Sequence, residues 1–113
     1  MLSGIYAVTF QSNQQMLGDG IMVIDGGTMH GGYATYLYKG KFKLTNGNKV
    51  SIVVDVAHHS GPPNSVLGPL SKYRLILNGS YSADQFKLQG HVEGQPHLQI
   101  SIVAQKKDDL IDQ

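Results

Sequence analysis

Cysteine is absent from the 113 residues. Its absence excludes a disulfide framework and thiolate chemistry, and it fits a reducing compartment. No segment approaches the ~18 consecutive apolar residues that a membrane-spanning helix requires. The opening MLSGIYAVTFQSNQQ has neither a basic start nor an unbroken apolar block. A secretory signal is therefore not expected, and a cytoplasmic location is. One-sided charge is also missing, since nine Lys and Arg against eight Asp and Glu leave a net +1. So balanced a chain has no general attraction for nucleic acid or an anionic membrane, and neither is expected as a partner. Proline is sparse, with three of its four residues confined to His58–Ser71.

What the chain has instead is glycine and alternation. Its fourteen glycines exceed the ~7% of average usage and are dispersed among apolar runs, so they read as turns and bends. Leu2–Gln11 puts Gly4, Tyr6, Val8 and Phe10 on one face. Gly18–Asp25 is apolar on both faces through Ile21, Met22, Val23 and Ile24, which predicts cover on both sides. Asp25-Gly26-Gly27 marks a reversal, and Thr28–His30 a short strand or lead-in.

The longest alternating stretch opens at Gly31-Gly32. From Ala34 to Leu44, Ala34, Tyr36, Tyr38, Gly40, Phe42 and Leu44 alternate with Thr35, Leu37, Lys39, Lys41 and Lys43. Period two makes one apolar and one wet face only in an extended strand. Twice the usual strand length, with Gly40 on the inner face, predicts one long strand bent or bulged there. Asn46-Gly47 then signals a hairpin, and Val50–Ala57 places Val50, Ile52, Val54 and Val56 inside.

From His58 to Ser71 the alternation lapses into a loop, where Asn64 or Ser65 could cap one helical turn. It resumes at Tyr73, Leu75, Leu77 and Tyr81, with Gly79 reading as a bulge, and again at Phe86–Val92 and Leu98–Ala104. Seven or eight antiparallel strands joined by tight turns predict an all-β fold. An up-and-down barrel is favoured over a two-sheet sandwich because closure removes exposed edges. Residues 1–105 form the single barrel domain in this reading, and 106–113 a charged tail.

Certain residues also resemble a known family. Gly4-Ile5-Tyr6, Gly18-x-Gly20-Ile21, Gly31-Gly32, Tyr38-x-Gly40, the run ending at His58, and His91-Val92-x-Gly94 look like the small barrels known as type III secretion negative regulators, the GrlR family. The similarity spans roughly residues 4–104 and lies mostly in glycines and alternating apolar positions. It implies an eight-stranded, lipocalin-like bacterial barrel that can dimerise and that represses transcription indirectly, by binding a transcriptional activator. One departure concerns the partner site. The founding member offers an acidic loop, whereas the corresponding hairpin here, Thr45–Lys49, has no carboxylate. No site residue is carried over from the family.

The residues themselves nominate few sites. His58 and His59, with Asp55 nearby, could supply metal ligands, but neighbours in a strand point to opposite faces and no H-E-x-x-H spacing exists. Gly18-x-Gly20 precedes a β-run and offers no helix N-terminus to a phosphate. Neither an enzyme nor a cofactor is expected. Lys39, Lys41 and Lys43 line one face, but Tyr36 and Tyr38 point away from them, so a solvated face is expected and not a nucleic-acid platform. Gly40, Gly90 and Ala104 fall on inward parity beside Tyr36 and Tyr38. Together they could line a cavity for a small apolar ligand, although a filled core is favoured. Leu37, Val53 and Val103 are apolar on outward parity and nominate a dimer or partner surface. The expectation is a regulatory binding protein, with a carrier or sensor of a small apolar ligand as the alternative.

Overall fold

Alternation decides which side of each strand faces inward, and eight strands carry it. The computed structural model describes residues 2–13, 17–33, 35–60 and 71–111. The strands are β1 (Gly4–Ser12), β2 (Leu17–Asp25), β3 (Thr28–Tyr33) and β4 (Tyr36–Leu44). They continue as β5 (Lys49–His58), β6 (Lys72–Ser82), β7 (Gln85–Val92) and β8 (Gln95–Asp108). Each pairs antiparallel with the next, and β8 returns to β1 through Val8↔Ala104 and Phe10↔Ile102. Those closing pairs make an up-and-down barrel and leave no room for two separate sheets. Closure also removes every free edge.

Inward side chains fill the barrel. Tyr6, Tyr36, Ile52, Leu77 and Phe86 are at most 1% exposed. At one end, the Phe86 ring meets Tyr6, Tyr81 and Phe42 at centroid distances of 5.2, 4.8 and 6.3 Å. At the other, Tyr33 lies 4.9 Å from Phe10 and stacks on Tyr36 at 5.7 Å. Phenols buried this way need acceptors. The Tyr6 hydroxyl donates to the Leu2 carbonyl at 2.7 Å, and that of Tyr38 to the Ile21 carbonyl at 2.6 Å. Burial pushes both phenols far above their ordinary ionisation range.

Several expectations need correction. The stretch from Gly31 to Leu44 is two strands, with Tyr33 opposite Tyr36 across a tight connection. Such a turn resets parity, so odd-numbered Tyr33 and even-numbered Tyr36 both face inward and stack. Ala34 lies outside the described residues, as does the turn that Asn64 or Ser65 would cap. Neither Gly40 nor Gly79 is a bulge, because both keep register with strands on either side. At Gly40 a Cβ would run into the Val53 carbonyl. The glycine there lets the adjacent strand approach, so the sheet coils without losing a pair.

Strand β2 is covered on its inner face only, leaving Ile21 51% exposed. A barrel of one layer has nothing further out to cover it. The last strand runs to Asp108, three residues into the expected tail. Lys106 continues the inward parity: its aliphatic stem lies over Gly4 and its ammonium emerges to meet Asp109 at 2.9 Å.

Candidate functional site

The interior offers little room. The free space among Met22, Met29, Tyr38, Tyr73 and their neighbours is about 30 Å³. Pockets that hold drug-sized ligands run to ~300–1,000 Å³. Of the residues nominated as cavity lining, only Tyr38 borders this space. Tyr36 is engaged with Tyr33, Tyr73 and the His58 ring. Gly40 and Gly90 lie against the carbonyls of Val53 and Ile76 on neighbouring strands, and Ala104 is fully buried opposite Phe86.

The outer wall carries more information. Register places Ala7 beside Ile21, Ile21 beside Gly32, Gly32 beside Leu37 and Leu37 beside Ala57. The result is a continuous row of small and apolar residues across β1 to β5. Ile21 and Leu37 stand out most, at 51% and 55% exposed. They are two strand spacings apart, roughly 10 Å. Gly32 has no side chain to separate them, and Leu37 Cδ2 comes within 3.3 Å of where a Cβ on Gly32 would sit. In the next row, half-buried Ile5 and Val23 extend the patch.

Charges flank this row. Asp19 and Asp25 stand on β2, and Lys39, Lys41 and Lys43 on β4, all exposed. Lys39 pairs in register with Asp55, and Asp55 with Arg74. Arg74 Nε donates to Asp55 Oδ1 at 2.7 Å, and its guanidinium reaches Glu93 at 4.0 Å. The Arg74 hydrogen bond holds the Asp55 carboxyl below the usual carboxylate range, and Asp55 raises Arg74 in turn. An open hollow of about 970 Å³ lies here, bordered by His30, Leu37, Lys39, Ala57, Lys72 and Arg74. The outer wall here is thus an apolar stripe with charged residues along its borders.

The three nominated outward residues do not gather in one place. Leu37 belongs to the row. Val53, 41% exposed, sits farther along β5 between Lys41 and Ile76. Val103, 38% exposed, stands between Thr9 and Lys87 on another part of the circumference. Sequence reading missed Ile21, Gly32 and Ala57 as companions of Leu37. The available signal is the apolar outward parity of β2, Ile21 and Val23, which the sequence alone does not distinguish from a strand covered on both faces.

Among the described residues no three His, Asp or Glu side chains converge as metal ligands. The backbone amide of His58 donates to the Ser71 carbonyl and that of His59 to the Thr35 carbonyl, both at 2.8 Å. No described helix is long and apolar enough to cross a membrane.

No family model matches the chain, and no curated protein matches it. Among solved structures, a redesigned β-barrel is similar over 95% of this chain and 92% of its own, with a TM-score of 0.65 and 17% identity. At that identity the likeness shows the fold alone.

Proposed function

We propose that the protein is a non-enzymatic regulatory barrel of the cytoplasm that holds a protein partner against the outer wall of β1–β5. The observation that carries this reading is the row Ala7–Ile21–Gly32–Leu37–Ala57, apolar and exposed at its centre. Contiguous apolar surface rimmed by charge marks interaction sites on soluble proteins. The resemblance to type III secretion negative regulators supplies the kind of work. A bacterial barrel of that sort can form a homodimer and represses transcription indirectly, by binding a transcriptional activator. With no carboxylate in Thr45–Lys49, the contact is assigned to the wall instead of that hairpin.

The alternative, carriage of a small apolar ligand, needs an interior chamber. About 30 Å³ of free space weighs against it. Affinity capture from the source cell tests the two together. The expected result is a stoichiometric protein partner, no co-purifying small molecule, and loss of that partner in the folded double variant Ile21→Lys, Leu37→Glu. A small molecule of fixed mass, with no partner sensitive to those substitutions, would overturn the proposal.

A further inference from the structure

Four Asx–Gly pairs occur in the chain: Asp19–Gly20, Asp25–Gly26, Asn46–Gly47 and Asn78–Gly79. Asparagine before glycine is the pair most open to deamidation, because glycine has no Cβ to hinder attack of its amide nitrogen on the asparagine side chain. The attack needs a nitrogen free of hydrogen bonds and a backbone able to rotate. Regular strand structure denies both. Asn78–Gly79 lies within β6, where Gly79 is in register with Val50 on one side and Leu88 on the other. Gly20 is held likewise opposite Val8, and the Gly26 amide donates to Ser3 Oγ at 3.1 Å.

Asn46–Gly47 is different. It tops the exposed β4–β5 hairpin, with Gly47 at φ +66°. The turn is tied on either side, through Lys49 N to the Asn46 carbonyl at 3.2 Å and Thr45 N to the Lys49 carbonyl at 2.8 Å. The Gly47 amide itself has no acceptor among the described residues. Nothing lies within 4 Å of where a Cβ on Gly47 would sit, so no packed neighbour braces the turn at that residue.

We propose that Asn46 is a built-in deamidation site. Gly47 N bonds to Asn46 Cγ, the Cγ–Nδ2 bond breaks, and the side-chain nitrogen leaves as ammonia with the proton released by the Gly47 amide. Water then opens the resulting succinimide at either carbonyl, giving aspartate or isoaspartate at position 46. Each product puts a carboxylate on a hairpin whose neighbouring charges are Lys43 and Lys49. The chain's formal net charge falls from +1 to zero. The site is independent of the proposed partner wall.

Peptide mapping by mass spectrometry tests it on the intact chain, incubated at mildly alkaline pH with and without denaturing urea. In the folded protein a one-dalton gain at Asn46 should accumulate about 100-fold faster than at Asn78, which reacts only when β6 opens. In urea the two rates should converge, since both dipeptides are Asn–Gly, and Asn46→Ser should remove the modification at that position. Equal rates in the folded protein, or an Asn46 that stays intact over the interval in which urea exposes both sites to reaction, would overturn the proposal.

Discussion

The wall over β1–β5 and the wall over β7–β8 are built from the same antiparallel ladder on one shared core, yet their outer faces differ. The first carries Ile21, Val23 and Leu37 between aspartates and lysines. The second presents Gln89, His91, Gln99 and Ser101 around an open, polar hollow of about 570 Å³. Inside, the two are alike: Tyr36 under the first and Phe86 under the second are both fully buried. Stability therefore belongs to the inward parity everywhere, whereas the outward parity differs from one side to the other, and the proposed partner contact draws on one side alone.

That contrast can be broken at its base. Tyr36→Ala and Phe86→Ala each remove a buried ring and should cost ~3–5 kcal/mol in urea unfolding. A cost much smaller under one wall would mean that the core is not shared equally. Next in size is an alkaline effect that comes from Tyr38. Its folded phenol ionises far above the ordinary value because it is buried. Its contribution is fully present below the unfolded value near 10 and is lost as pH rises above it, at up to ~1.4 kcal/mol per pH unit. Thermal melts across that range should show the decline, and Tyr38→Phe should make it shallower, the remainder belonging to Tyr6, whose buried phenol is raised in the same way.

A smaller effect, of opposite direction, is expected at the β6–β7 turn under the polar wall. Ala83 and Asp84 both have positive φ, 53° and 61°. Asp84 is compensated by accepting the Tyr81 hydroxyl at 2.9 Å; Ala83 has no such side-chain bond. Ala83→Gly should stabilise the barrel by ~1 kcal/mol, read as a higher melting temperature with partner binding unchanged. A change in binding would show that the two walls are coupled.

Parity along single strands was legible in the sequence. Tyr36 and Tyr38 face in, and Lys39, Lys41 and Lys43 face out, as alternation requires. The hairpin between β3 and β4 was not, because Tyr33 and Tyr36 share an inward face only after a turn resets the count. Glycine at position 40 announced an unusual backbone site, but one sequence does not distinguish a bulge from a close approach between strands. Lys106 hid the end of β8, since a charged residue reads as solvated even where its stem covers Gly4. Leu37 was legible as an outward apolar residue. Its companions were not, because Ile21, Gly32 and Ala57 join it only through the registers of four different strands.

Amide chemical-shift mapping, first as the protein's own concentration is raised and then as the captured partner is added, tests the assignment of binding to the outer wall most directly. Shifts concentrated at Ala7, Ile21, Gly32, Leu37 and Ala57, with Met29 and Leu77 in the core unmoved, are the predicted result. Shifts gathered instead at Gln89, Gln99 and Ser101, or running through the inward-facing residues, would contradict it.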